Sequence, residues 1–548
     1  MIISMLLWIP SMTGFGVAMR TWAYPDPEDP GLETALDDAL LGLLVLAGLA
    51  FALHLFFALG GFLSLLGLVA GWLGLWIFRK KIFPWSALEI AGSGVLFLSS
   101  VYLAYVAQAN YDTGLYHLQT LRWDWAERAV LGLANLQSRF GFNSSWHILS
   151  AFLAVPGLVL PASFSANAIL SYLGLSTFFA KAVCRPKQSL IPAVRIMALG
   201  LLVIFVILED RFFWDTVSSP STDLPAALLT VLCLLELAEA AAGSSAATFH
   251  GLCLASLAVT VKLSCTPLLM ASVLLFFAKD PVSRYWKGIL LVALFWATWL
   301  AHGIILSGCL LYPIPSTRLP FLPWTAPVDQ LLLVEAGIRS YARIQGSDAR
   351  ALVGWAWIPV WLNQICDYWL SPLLAWALAT GLVTVLYVKI RGWHGSLGAP
   401  FFIPWLVSGA GLAFWFLSAP DPRFGWGFLL FFAIYPLAWS LGRMAEWPSK
   451  DWYALASWIL LIWLAWEGIQ LRQRRHYHVM ISDWPRIPVS SVTEINGIWI
   501  PSATDQCWDA ALPCSPERWP DLVSLTDPGQ NLAREFMMQA SKQTPGIQ

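Results

Sequence analysis

Runs of about 20 apolar residues recur along most of this chain, and that recurrence constrains the fold more than any other feature. Each run is long enough to cross roughly 30 Å of hydrocarbon as a helix whose backbone hydrogen bonds are all internal. Composition agrees, because hydrophobic residues make up 58% of the sequence and charged residues only 12%, against about 25% charged in an ordinary soluble domain. The expectation is an all-α, polytopic transmembrane helical bundle of about 13 or 14 crossings. The spans fall at 1–19, 36–57, 60–78, 86–108, 164–183, 189–208, 223–242, 247–262, 264–279, 285–307, 368–388, 399–418, 425–443 and 453–470. Met1 to Met19 lacks a basic n-region and an A-x-A-like cleavage site, so it reads as a helix and not as a cleaved leader.

Lys and Arg near helix ends are retained on the cytoplasmic side. Arg79, Lys80 and Lys81 set the first such anchor. Arg185, Lys187 and Arg195 agree with it provided that 146–160 does not span, and so do Lys279, Arg284 and Lys287, then Lys389 and Arg391, then Arg443 and Lys450. The segment WHILSAFLAVPGLVLPAS is interrupted by Pro156, Gly157 and Pro161, so a juxtamembrane or re-entrant helix is expected there. The chain then divides into N-terminal membrane helices (1–108), a first outer loop with juxtamembrane helices (109–163), membrane helices (164–307), a long outer loop (308–367), C-terminal membrane helices (368–470) and a small, irregular outer tail (471–548). No internal repeat of fixed period is visible, and no inverted pair of interrupted helices of the kind many secondary transporters carry.

The net charge of −1 argues against nucleic acid as a partner. Membrane lipids are the expected surroundings, with 32 Trp residues to populate the interfaces. Cys184, Cys233, Cys253 and Cys265 lie in or beside helices, where a thiol behaves as a small hydrophobe. Cys507 and Cys514, in CWDAALPC, are spaced to close a small disulfide in an oxidising compartment, the alternative being two free thiols. Cys309 and Cys366 flank the long outer loop and offer a second conceivable pair.

Polar chemistry concentrates between Asn110 and Trp146. In YDTGLYH, Asp112 stands at a membrane rim beside Tyr111, ahead of a turn glycine and His117, placed to accept a proton from a hydroxyl or to cap the helix that follows. Residues 115–130 read as an amphipathic helix lying on the membrane, with Trp123, Trp125 and Trp146 at the interface and Arg122, Arg128 and Arg139 facing headgroups or phosphate. His117 and His147 are polar contacts or hydrogen-bonded interfacial residues. In SSPSTDLPA, Asp223 is a helix cap or a second acid facing Asp112, with Asp210 and Asp215 as competitors. The turn APDPRF, stiffened by Pro420 and Pro422, aims Arg423 at the surface, where it would hold a phosphate or pair with Asp421. Lys262 is a further phosphate partner or a snorkelling amine. Glu335, Arg339 and Arg343 repeat at helical spacing, either as an ion-paired face or with Arg339 or Arg343 touching substrate.

Taken together, these features resemble the GT-C superfamily of integral membrane glycosyltransferases, which use polyprenyl-phosphate-linked sugars on the outer face of the membrane. More closely, the chain resembles a largely uncharacterised bacterial membrane family that carries YDTGLYH, GFNSSW, SSPSTDLPA, APDPRF and a DQCWD…LPC tail in this order. The resemblance implies a bacterial inner-membrane enzyme with outer juxtamembrane helices and catalytic acids at Asp112 and Asp223. The residues themselves point to substrate contacts from Tyr111, His117, Arg139, Asn143, Lys262, Arg339 and Arg423. The donor would be a polyprenyl-phosphate sugar and the acceptor an envelope glycan, lipid or protein. A divalent metal is compatible with this chemistry, although the sequence offers no convincing ligand set. Unlike protein mannosyltransferases with adjacent Asp-Glu, Asp112 is followed by Thr113, which leaves the acceptor class open. Two other classes use the same basic rim: a flippase for lipid-linked saccharides, and a polysaccharide polymerase or ligase centred on the outer-loop arginines.

Overall fold

The structure is a computed structural model. It describes residues 1–23, 30–106, 109–183, 216–279, 282–345, 353–368, 398–444 and most of 484–517, with short pieces elsewhere. Among them it is mostly helical. The α-helices run α1 (Ile2–Ala23), α2 (Leu32–His54), α3 (Phe62–Phe78), α4 (Ala87–Val106), α5 (Leu118–Ala126), α6 (Ser145–Phe152), α7 (Val159–Phe164) and α8 (Ala166–Val183). They continue with α9 (Asp223–Ala241), α10 (Ser245–Val261), α11 (Thr266–Lys279), α12 (Val282–Ser307), α13 (Val328–Arg343), α14 (Ile358–Tyr368), α15 (Ala399–Ser418) and α16 (Pro422–Met444). The tail adds two antiparallel strand pairs, β1 (Val492–Ile495) with β2 (Ile498–Pro501) and β3 (Leu522–Ser524) with β4 (Phe536–Met538).

Among the described residues, eight helical segments are long and apolar enough to cross a membrane: α1, α2, α3 with the turn after it, α4, α7 with α8, α9, α12 and α15. α10 and α11 are apolar but shorter. The expected spans at 453–470, nearly all of 189–208 and most of 368–388 lie outside the described residues. So do Asp210, Asp215, Cys184, Arg185, Lys187, Arg195, Lys389, Arg391 and Lys450.

α1 is a central helix, not a peripheral one. A Cβ on Gly16 would fall 1.6 Å from the Asp38 carbonyl oxygen, and one on Gly42 would fall 1.9 Å from that of Met12, so the backbones of α1 and α2 approach as only small residues permit. Trp8 is fully buried and its indole donates to the Leu153 carbonyl at 2.9 Å. At one end of the bundle Arg20 holds Asp38 through two hydrogen bonds of 2.7 and 2.9 Å. Lys81 donates to Thr21 at this same end. Here too Lys181 gathers Glu236 at 3.0 Å, Glu239 at 3.2 Å and Glu33 at 3.6 Å, joining α8, α9 and α2. α3 and α4 leave Trp72, Trp76, Leu88 and Leu98 exposed, as faces turned to lipid would.

Several expectations about 109–163 change. α6 has eight residues, about 12 Å of helix at 1.5 Å per residue, far short of a hydrocarbon core. Every one of its residues is buried, and the chain leaves it through Gly157 at φ +80. Trp123 and Trp146 are buried rather than interfacial, and the Trp146 indole donates to Asn167 at 2.6 Å. α5 is shorter than the amphipathic helix expected over 115–130, and it lies beneath the tail, where Arg122 pairs with Asp509. The tail contains a disulfide between Cys507 and Cys514. Cys309 is a free, buried thiol, so no Cys309–Cys366 bridge exists.

Candidate functional site

The end of the bundle opposite Lys81 and Lys181 collects the acids and bases that the sequence scatters over more than 300 positions. After α4 the chain turns at Asn110, whose carbonyl accepts the Thr113 N–H at 2.9 Å while its side-chain oxygen accepts the Asp112 N–H at 2.9 Å. Thr113–His117 then forms a wide π-helical turn, a departure from α geometry frequent at functional sites. The Asp112 side chain caps nothing. Its carboxylate accepts from Arg423 Nη1 at 3.2 Å.

Arg423 is aimed from the first turn of α16. Asp421 accepts the Arg423 N–H at 3.0 Å and meets its Nε at 3.2 Å. Two indoles fix the turn from behind, Trp361 donating to the Pro420 carbonyl at 2.7 Å and Trp415 to the Asp421 carbonyl at 2.6 Å. The guanidinium lies between aromatic faces, 5.2 Å from the Tyr341 centroid and 5.0 Å from that of Phe424. Asp223 is the first residue of α9 and does not act as its cap; it is ion-paired with Lys262, whose ammonium lies 4.0 Å from the Phe424 centroid. Lys262 sits where α10 ends in extended backbone, which turns its side chain across to α9.

The cluster thus sets three carboxylates, Asp112, Asp223 and Asp421, against two cations, Lys262 and Arg423. The Asp112 carboxyl is pushed above the ordinary carboxylate range, first by burial; Arg423 opposes the shift and Asp223 reinforces it. Asp421 is raised for the same reason, burial, against the pull of Arg423. Arg423 keeps its proton, because Asp421, Asp223 and Asp112 outweigh the cost of burying it.

His117 and His147 lie under this cluster with ring centroids 4.9 Å apart, and Tyr116 packs edge-on against His117 at 4.3 Å. Burial holds His147 down to about 4. His117 is depressed by burial and by the charges of His147, Lys262 and Arg423. Both rings are therefore neutral near pH 7, able to hydrogen-bond but not to carry charge. Tyr111 is 57% exposed and donates its hydroxyl to Asp505 of the tail, which raises the phenol to about 12. Arg139 stands half-exposed, 3.8 Å from Glu517, and its charge reaches Asp112.

Two expected substrate contacts are placed elsewhere. Both ends of the Asn143 amide are used inside the fold: its oxygen contacts His302 Nδ1 at 2.8 Å and its nitrogen donates to the Trp299 carbonyl at 2.6 Å. His302 in turn meets His54 at 2.8 Å, so Asn143 belongs to a bolt between α2 and α12. Arg339 pairs with Glu335 on the open side of α13, and it is Tyr341 of that helix that reaches Arg423. The Arg423–Asp421 pair is one of the two alternatives the sequence offered for that arginine, whereas Tyr341, which reaches Arg423 from α13, was passed over.

The family model described as Domain of unknown function (DUF8201) matches residues 1–430. The chain belongs to that family. All five charged residues of the cluster fall within the DUF8201 match, whereas the tail partners Asp505, Glu517 and the Cys507–Cys514 loop lie beyond it. No curated protein and no solved structure matches the chain. Among the described residues no group of three or more His, Cys, Asp or Glu side chains is arranged to hold a metal ion, and Arg423 and Lys262 engage the carboxylates of this DUF8201 cluster.

Proposed function

We propose that the protein is a GT-C-like glycosyltransferase of the bacterial inner membrane, crossing it about 13 or 14 times, that moves a sugar from a polyprenyl-phosphate donor to an envelope glycan, lipid or protein acceptor on the non-cytoplasmic face. The observation that carries this reading is the joining of Asp112 to Arg423, with Asp223 and Lys262 beside them, at the end of the bundle away from the basic Arg79–Lys81 turn. Arg423 and Lys262 supply the charge that a departing lipid phosphate needs, and Arg423 can meet it with two parallel hydrogen bonds. Donor phosphate arriving on Arg423 replaces the Asp112 carboxylate as its partner, and Asp112 is then free to act as base. It takes the proton of the acceptor hydroxyl while that oxygen bonds to the anomeric carbon. The bond from this carbon to the phosphate oxygen breaks, and its electron pair leaves with the phosphate. Neutral His117 and exposed Tyr111 are placed to hydrogen-bond sugar hydroxyls.

General base catalysis contributes about 10²- to 10⁴-fold. Asp112→Asn should therefore insert and accumulate like the wild type while transfer falls by that order. The test is deletion of the gene and complementation at matched expression, with profiles of envelope glycans and of accumulated polyprenyl-linked saccharides. Loss of one sugar, restored by the wild type alone, is the expected result. Equal restoration by Asp112→Asn would overturn the base assignment and favour movement of lipid-linked saccharide without covalent change.

A further inference from the structure

We propose that the disulfide-closed loop Cys507–Cys514 is a strap that holds the Asp112 turn in its working position, so that the site is assembled only while the disulfide is intact. The functional half of this inference rests on the reading of Asp112 as the base. The structural half does not.

The strap seats on the segment that carries Asp112, with Leu512 packed against the neighbouring cluster of Trp123, Leu133 and Leu306. The Trp508 N–H donates to the Gly114 carbonyl at 2.9 Å, inside the π-helical turn. Gln119, one turn further on, donates to the carbonyls of Trp508 at 3.0 Å and Ala510 at 2.9 Å. Gln506 reaches the Tyr111 carbonyl at 2.8 Å. The turn is thus gripped on both sides of Asp112 through backbone groups, which fix its path and not merely its exposure. Contact is close as well: a Cβ on Gly114 would lie 2.3 Å from the Trp508 indole, so only glycine admits the strap.

Besides the cystine, the strap is tied to the rest of the tail, the Pro513 carbonyl accepting the Trp499 N–H and the Cys507 carbonyl the Ser490 hydroxyl, each at 2.9 Å. Its own core is Cys507, Ala510 and Cys514, backed by Val492 and Trp499. Trp508 adopts φ +44, a left-handed conformation that a bulky side chain keeps only where its surroundings over-determine it. The cystine, the Gly114 seat and the contacts with Ser490 and Trp499 are those surroundings. Reduction by a dithiol delivers two electrons and two protons to the sulfurs, giving two thiols, while the dithiol becomes a disulfide. The eight-residue loop then regains its conformational freedom, and the carbonyls of Tyr111 and Gly114 lose their fixed partners.

The experiment uses the full-length protein in detergent, oxidised, treated with dithiothreitol, and re-oxidised, with thiols counted at each stage. Amide exchange of 111–122 and transfer to acceptor are both followed. Reduction should speed exchange across 111–122 by about tenfold or more while α2 and α9 stay unchanged, and transfer should fall and return on re-oxidation. Gly114→Ala should reproduce the loss with the disulfide intact, and its residual transfer should show a displaced acid limb because the carboxylate has left Arg423. Unchanged exchange at 111–122 with two additional thiols counted would overturn the strap. Faster exchange in a protein that transfers no sugar even when oxidised would keep the strap and sink the transferase reading.

Discussion

Asp112 carries its charge at a disadvantage: burial and Asp223 push its carboxyl up, and Arg423 recovers part of the loss. A base works in its ionised form, so transfer should fall on acidification as pH passes down through this raised value, earlier than an ordinary surface aspartate would allow. Asp223→Asn removes one upward push. The acid limb of the pH–rate profile should then move to lower pH, and a limb that stays or moves up would separate Asp112 from the titration observed. Asp421 acts on the other partner, because its carboxylate accepts the backbone N–H of Arg423 and lies 3.2 Å from its Nε as an ion pair. A charge-assisted hydrogen bond is worth about 1.5–3 kcal/mol, so Asp421→Asn should raise the donor KM about tenfold or more while changing kcat less. An unchanged KM would show that the two indoles behind the turn suffice to aim the guanidinium.

At the scale of elements, the sequence was most readable where one local property decides the outcome. Apolar length alone places α2, α3, α9 and α15 close to their expected bounds, because a helix that must satisfy its own backbone in lipid has few other choices. Pro156 and Gly157 mark the break after α6 for an equally local reason. Partners distant in sequence were less readable. Asp112 and Arg423 are 311 positions apart, and nothing near either one distinguishes an ion pair from a cap or a headgroup contact. For that reason Asn143 finds partners the sequence did not point to, His302 and Trp299 on α12, while Arg339 takes the ion-paired one of its two expected roles, with Glu335 one turn back on its own helix. Trp146 has the composition of an interfacial residue and the position of a core one, because α6 is inserted among α2, α5 and α10.

For the molecule as a whole, the short α6 keeps Asp112 and Asp223 at one end, and the tail closes over that end. Impermeant thiol labelling tests the arrangement directly. Phe321 and Val489 are 76% and 98% exposed, and Lys80 is exposed at the other end of the bundle. Phe321→Cys and Val489→Cys should label in intact spheroplasts, and Lys80→Cys only after the membrane is permeabilised. Labelling of all three from one side would invert or break the proposed orientation.

Tyr111 meets Asp505 across 394 residues of sequence. At about 5–20 residues per second, a ribosome needs roughly 20–80 s to make the intervening chain. For that interval the helices can insert and pack while the turn beside the base still waits for its partner. On the transferase reading, a chain whose tail is not yet made would insert its helices but lack the Asp505 and Gln506 contacts beside Asp112, and would stay inactive until the tail arrives. On that reading, completion of the polypeptide would itself be a precondition of the chemistry, and partly made chains would not consume the lipid-linked sugar.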